Sequence, residues 1–334
     1  VKTSNLCSEI TLPTGIDKDG RDRTAVCCLS SLNIEKYEEW KDDKNFIGDV
    51  MRFLDNVLTD FIERAPEEFS DATYSALRER SVGLGVMGLH SFFQQKMIPL
   101  ESVMSKVWNK KIFKHIQKEV DKSSKDLAEE RGACPDAADY GIKERFSNKT
   151  AIAPTASISI ICGGTSPGVE PIAANSFTHK TLSGSFNVRN RYLEKILEKY
   201  NKNDGETWSS ITTNQGSVSH LDFLTQQEKD VFKTAFELDQ KWIVELGADR
   251  TSHISQAQSI NIFVPADIHK KELHQIHFQA WKKGLKSLYY CRSKSIQRAE
   301  NVNDAKLTDV TANVYNSKNQ QNKEQEYDEC LSCQ

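Results

Sequence analysis

From Phe46 to Ile62 the apolar residues Phe46, Ile47, Val50, Phe53, Leu54, Val57, Leu58, Phe61 and Ile62 recur at steps of one, three and four. That period predicts an amphipathic helix with one face toward a core, and Pro66 marks where it stops. Ile112, Phe113, Ile116, Val120 and Leu127 predict a second helix over 108–131, stopped by Gly132 and Pro135. Two further helices are predicted over 226–246 and 268–285, with the strand SINIFVP between them and a strand LKSLYYC after them. At the front, residues 1–34 read as two short extended segments around the polar turn GIDKDGRDR, which holds Gly15 and Gly20. Strands separated by helices predict an α/β fold. Beyond about residue 305 the chain is polar and without periodicity, so 306–334 reads as a mobile tail on an α/β unit spanning 1–305.

Composition narrows the class. The 334 residues suffice for one large domain or two ordinary ones. Lys and Arg number 44 against 47 Asp and Glu, a net charge of −3. That balance argues against a general nucleic-acid surface or a basic membrane-facing patch. No apolar run is long enough to span a bilayer, and no signal peptide is present. Eight cysteines, at 7, 27, 28, 134, 162, 291, 330 and 333, are scattered over the chain, unlike a small secreted disulfide framework. A reduced, cytoplasmic protein is expected. The first residue is Val1, so either a methionine was removed or the chain is a piece of a longer protein.

Several stretches carry candidate chemistry. In SNLCSEITLP, Asn5, Cys7 and Glu9 alternate. In an extended segment they would share one face, an amide, a thiol and a base around one small volume, although a buried cysteine can equally be a small core hydrophobe. GLGVMG has the glycine spacing of a phosphate loop but no P-loop lysine and no clear preceding strand. It reads instead as close helix packing. TAIAPTASISIICGGTSPGVEP reads as a strand leading into a loop at a helix N-terminus, where backbone N–H groups and the hydroxyls of Thr155, Ser157 and Ser159 suit an anion such as phosphate. Tyr289 and Tyr290, adjacent on a strand, should point to opposite faces. Cys330 and Cys333 form a CxxC with no second CxxC or histidine pair nearby, which disfavours a closed zinc site and suits disulfide exchange on a mobile arm.

Taken in order, NLCSEI, AVCCLSSLN, GLGVMGL, ERGACP, APTASIS with GVEP after it, SLYY and the ending CLSC resemble the C-terminal part of the large, catalytic subunit of class I ribonucleotide reductase. The resemblance covers essentially the whole chain. It implies part of a ten-stranded α/β barrel with the catalytic cysteine on a central loop. It implies that Cys7 becomes a thiyl radical taking the substrate's 3′ hydrogen, that Glu9 is the base on the 3′ hydroxyl, and that Asn5 binds the ribose hydroxyls. Cys27 matches one of the two reducing thiols, and neighbouring Cys28 is read as a bystander. Tyr289 and Tyr290 match the pair relaying the radical. Thr155, Ala156, Ser157, Ile158 and Ser159 match the loop holding the substrate diphosphate, with Ala156 where several relatives have glutamate, so a backbone role is expected there. Cys330 and Cys333 match the shuttle pair served by thioredoxin or glutaredoxin.

The family's large subunit is about twice this length. Its N-terminal half, with the allosteric nucleotide sites and the second reducing cysteine, has no counterpart here. A split enzyme is therefore expected, with a separate chain completing the barrel; a cloned fragment, or one half after protein splicing, would look the same from the sequence. No cofactor is expected on this chain; a metal–tyrosyl radical, di-iron or manganese, belongs to a separate small subunit. The cobalamin-dependent and glycyl-radical classes share the barrel, but SLYY favours class I, and no glycyl-radical motif lies near the C-terminus. Against a non-catalytic paralogue stand the intact Cys7, Glu9, Cys27, Tyr289, Tyr290, Cys330 and Cys333. Against a plain thiol–disulfide oxidoreductase stands the lack of a thioredoxin-like βαβ context before CLSC.

Overall fold

The computed structural model describes residues 4–181 and 184–293. Cys330, Cys333 and the expected tail lie outside the described residues. The strand Gly83–Met87 is buried at every position and pairs in parallel with Leu29–Asn33, from Leu29↔Gly83 to Asn33↔Met87. Thr150 bridges Leu84 in parallel, and Ile152 bridges Gln258 in the same sense. The strand Ile262–Val264 then pairs in parallel with Cys291–Ser293. Five segments, around residues 29–33, 83–87, 150–152, 258–264 and 289–293, thus follow one another side by side in chain order.

Parallel neighbours cannot be joined by tight turns, so a crossover must carry the chain back. Helices supply it. Phe46–Arg64 and Ser70–Glu79 lie between the first two segments, Val103–Arg131 between the second and third, Gln240–Thr251 between the third and fourth, and Lys270–Lys282 between the last two. This repeated strand–helix succession is the α/β barrel architecture expected from the sequence. Met51, Leu54 and Leu58 pack with Ile112, Phe113, Ile116 and Val120 in the largest core cluster. A second cluster joins Leu246, Ile260, Ile262, Ile276 and Ala280. Among the described residues no helix is long and apolar enough to cross a membrane.

Several expectations are corrected. GLGVMG serves strand pairing, not helix packing. A Cβ on Gly83 would stand 2.3 Å from Leu29 Cδ2, and one on Gly85 would stand 2.3 Å from the Ala151 carbonyl oxygen. The glycines let three adjacent strands approach, and burial on both faces explains why the run lacks alternation. The helix expected over 226–246 is two, Gln226–Val231 and Gln240–Thr251. A tertiary contact and a local one win in between: Ala235 donates its N–H to the Ile172 carbonyl, and Glu237 accepts from the Thr234 N–H and hydroxyl three residues back. Asp239 then caps the second helix at the Lys241 N–H. The long helix expected from 108 begins earlier, at Val103, because Ser102 caps it at the Ser105 N–H. At the front, the turn GIDKDGRDR is itself a small hairpin, Gly15–Ile16 against Asp22–Arg23, and of the two extended segments expected around it only the second forms a strand among the described residues, Leu29–Asn33.

Candidate active site

Asn5, Cys7 and Glu9 do not lie on an extended segment. The Ser8 N–H donates to the Asn5 carbonyl at 3.1 Å, and the Asn5 N–H donates to the Ile10 carbonyl at 3.0 Å. The Asn5 side-chain oxygen accepts the Ile10 N–H at 3.0 Å, and Ser8 takes a left-handed φ of 64°. Local hydrogen bonds from an asparagine side chain compete with extended structure, and here they close a tight loop. Cys7 sits at its tip, half-buried, while Glu9 is buried at its base.

The loop is fastened to the fourth and fifth barrel segments. The Ser8 hydroxyl donates to the Leu288 carbonyl at 3.1 Å, and the Ala257 N–H donates to the Glu9 carbonyl at 2.8 Å. The Ser259 hydroxyl lies 2.6 Å from the Cys7 carbonyl oxygen and 3.0 Å from Glu9 Oε2. Gln256 Oε1 accepts the Thr11 N–H at 2.9 Å. Ser259 and Gln256 were not singled out from the sequence, since a serine and a glutamine beside a strand carry no signal of their own.

Cys27 lies just ahead of the first strand. Water reaches it, yet enough protein rings the thiol to push its pKa up to about 11, by burial first and then by the charges of Glu9, Cys28 and Cys7. Those electrostatic partners place Cys27 beside the loop. Cys28 turns the other way into the core, its Sγ 3.9 Å from the Leu54 carbonyl oxygen. Its bystander reading fits that placement.

Tyr289 and Tyr290 do not face opposite sides. Their rings pack against each other, with centroids 4.0 Å apart and planes at 37°. They precede the regular strand Cys291–Ser293, and the ladder there is irregular. The Tyr289 N–H donates to the Ile260 carbonyl at 2.8 Å, but the Tyr290 N–H goes to the side-chain oxygen of Asn261 at 2.9 Å. The strict alternation of a strand is thereby lost. The Tyr289 hydroxyl is closed off from water without a hydrogen bond of good geometry among the described residues. Burial first, and then the adjacent Tyr290 hydroxyl and Cys7 thiol, hold its pKa well above the ordinary phenol value. Tyr290, Tyr289 and Cys7 therefore form a contiguous series.

The 155–159 segment opens the short helix Ala156–Ile161 as expected. Thr155 holds a φ of 56°, a strained conformation for a β-branched residue. Its hydroxyl oxygen accepts the Gly168 N–H at 2.7 Å, and the Ser159 hydroxyl donates to the Ala156 carbonyl at 3.0 Å. Both hydroxyls are thus engaged in shaping the loop, while Ser157 and Ile158 are exposed. The Ser259 N–H donates to the Ile152 carbonyl at 2.9 Å, so the strand leading into this loop runs beside the residue that holds Cys7. Among the described residues no group of three or more His, Cys, Asp or Glu side chains is disposed to hold a metal ion.

Comparison with known proteins gives a consistent answer. The family described as "Ribonucleotide reductase, barrel domain" matches residues 1–143 and 136–291. The chain is 48% identical over 338 residues to the ribonucleoside-diphosphate reductase large subunit of Invertebrate iridescent virus 6, covering 97% of this chain and 34% of that protein. It is 30% identical to large chain 2 of Saccharomyces cerevisiae, covering 90% of this chain and 38% of that protein. The solved structure of the Actinobacillus ureae class Id ribonucleotide reductase alpha subunit superposes with a TM-score of 0.79 at 38% identity, covering 89% of this chain and 54% of that one. The chain therefore spans roughly a third to a half of the length of these relatives. It belongs to the ribonucleotide reductase family and carries barrel-domain sequence of the large subunit.

Proposed function

We propose that this chain provides the thiyl-radical centre of an enzyme reducing ribonucleoside diphosphates to 2′-deoxyribonucleoside diphosphates. The observation that carries the reading is the unbroken series from Tyr290 through Tyr289 to Cys7, on a loop whose base is the buried carboxylate Glu9. A metal–tyrosyl radical in a separate small subunit, di-iron or manganese, supplies the oxidising equivalent. Within this chain Tyr290 and then Tyr289 pass it on, and Cys7 gives up its S–H hydrogen to become a thiyl radical.

The Cys7 radical takes the 3′ hydrogen of the ribose, and Glu9 takes the 3′-hydroxyl proton. The 2′ C–O bond then breaks, and the hydroxyl leaves as water with a proton from Cys27. The second thiol gives a hydrogen atom to the 2′ carbon and its sulfur joins the Cys27 thiolate; the electron this pair sheds in becoming a disulfide, with the proton held by Glu9, restores the 3′ hydroxyl, and Cys7 returns the hydrogen to the 3′ carbon. Asn5, fixed in the turn, faces the ribose hydroxyls, and the backbone of 155–159 receives the diphosphate. Holding these groups in one geometry replaces several encounters by one. The second thiol and the allosteric nucleotide sites lie on large-subunit sequence beyond the matched part, in this reading on a separate chain. Cys330 and Cys333 exchange thiols with the active-site disulfide and are themselves reduced by thioredoxin or glutaredoxin, in the cytoplasm.

The test is CDP reduction by the assembled large and small subunits. Cys7→Ser should abolish turnover with assembly intact, and Tyr290→Phe should block turnover while CDP still binds. Turnover retained in Cys7→Ser would remove the radical assignment.

A further inference from the structure

Glu170, in GVEP, is buried and has no part in the chemistry just described. Its Oε1 accepts the Asn261 Nδ2 hydrogen at 2.6 Å. Asn261 is also buried, and its Oδ1 accepts the Tyr290 N–H at 2.9 Å. We propose that Glu170 is a positioning residue for the tyrosine relay, fixing Tyr290 through the side-chain amide of Asn261. The inference rests on the relay reading of Tyr289 and Tyr290.

The argument is one of donors and acceptors. An asparagine amide has a donor end and an acceptor end of almost the same shape, and its neighbours decide which way it points. Tyr290 offers a backbone N–H and needs the acceptor end. Only an acceptor on the other side makes that orientation favourable, and the Glu170 carboxyl is that acceptor. A flipped amide would set NH₂ against N–H and a carbonyl against a carboxyl oxygen, losing both bonds in a water-poor site. Asn261 also lies between Ile260 and Ile262, whose carbonyl and N–H bind Tyr289 and Tyr290 at 2.8 and 2.9 Å. The amide thus completes a three-point grip on the backbone of the pair.

Glu170 is itself firmly set. Two residues before it, the Gly168 N–H is held by the Thr155 hydroxyl, and two residues after it, the Ile172 N–H donates to His90 Nδ1 at 3.1 Å. Arg292 has its guanidinium carbon 5.7 Å from the Tyr290 ring centroid, and its charge acts on Glu170. Burial pushes the Glu170 carboxyl up to about 7, against the pull of Asn261 and Arg292. A carboxyl in this setting keeps an acceptor oxygen toward Asn261 whether or not it carries a proton, so its role is geometric.

Glu170→Leu and Glu170→Gln should be compared in the assembled holoenzyme, with Tyr290→Phe alongside. Glutamine retains an acceptor toward Asn261 and leucine does not. Glu170→Leu should lower kcat about tenfold, the effect of one lost buried hydrogen bond, with KM for CDP unchanged, and Glu170→Gln should restore it. With 3-aminotyrosine at position 290 as a radical trap, the β-proton hyperfine coupling reports the ring's rotation about its Cβ. That coupling should shift or broaden in Glu170→Leu and match wild type in Glu170→Gln. Should Glu170→Leu fail to assemble, Asn261→Ser breaks the same link and should give the same signature. Unchanged kcat and unchanged coupling in the link-breaking variant would overturn the inference, leaving the relay intact if Tyr290→Phe is dead. Full turnover in Tyr290→Phe would instead overturn the relay reading on which it rests.

Discussion

The Ser259 hydroxyl meets both ends of the reactive loop, 2.6 Å from the Cys7 carbonyl oxygen and 3.0 Å from Glu9 Oε2. A serine has one proton to donate, so only one of these acceptors can receive it at a time. The shorter contact favours the Cys7 carbonyl. In the proposed mechanism Glu9 takes a proton from substrate, becomes a donor and can give a hydrogen bond to the same Ser259 oxygen. The hydroxyl then bridges both groups without conflict, steadying the Cys7 backbone in the state where the base is protonated.

Ser259→Ala should therefore impair turnover more than it impairs folding. Removing a hydrogen bond of this kind costs about 1–2 kcal/mol, roughly tenfold in rate if it is felt at the transition state. Steady-state CDP reduction beside a thermal melt separates the two. A melt lowered with kcat untouched would make Ser259 a structural residue alone.

The Cys27 thiol should be unreactive at neutral pH. Its folded pKa of about 11 lies above the ordinary 9.0, so the folded chain keeps a proton that the unfolded chain loses first. Any stability linked to it is therefore complete below pH 9 and is lost as the pH rises toward 11. Iodoacetamide labelling of the folded protein should accelerate steadily across that window, while urea-unfolded protein should already label near pH 9. Fast labelling of folded Cys27 at pH 7 would contradict the raised pKa and the proton-donor role proposed for it.

Electron entry should depend on the terminal thiols. Cys330→Ser with Cys333→Ser should leave turnover with dithiothreitol unchanged and stop it with thioredoxin. Equal loss with both reductants would refute the shuttle assignment.

Gly85→Ala should damage the barrel itself. The new methyl would lie 2.3 Å from the Ala151 carbonyl oxygen, a backbone atom that moves only if the strands part. Overpacking of this kind costs about 1–3 kcal/mol. The measurement is the urea midpoint, and an unshifted midpoint would mean that the strands are less tightly apposed than described.

Which features were legible in the sequence follows from where their causes lie. The helix Phe46–Arg64 was legible because its period is local and its apolar face is its reason for folding. The break at 232–239 was not, because the Ile172 carbonyl that captures the Ala235 N–H is more than sixty residues away. Cys7, Glu9 and the tyrosines could be named from sequence, but not arranged. A left-handed Ser8 turns the expected strand into a loop, and Asn261 takes the Tyr290 N–H, so that the rings share one side. Ser259, Asn261 and Glu170 stayed hidden because their meaning lies wholly in partners distant along the chain.

Cys27 and Cys28 are one peptide bond apart, the first open to water and the second sealed against the Phe46–Arg64 helix. A small alkylating reagent can reach the first without any motion of the chain. It reaches the second only in molecules where the strand Leu29–Asn33 has come away from that helix. The ratio of the two labelling rates is then an internal clock for local opening, with Cys27 correcting for thiolate chemistry. Followed as the subunits assemble, it would show whether assembly slows the breathing of this part of the barrel.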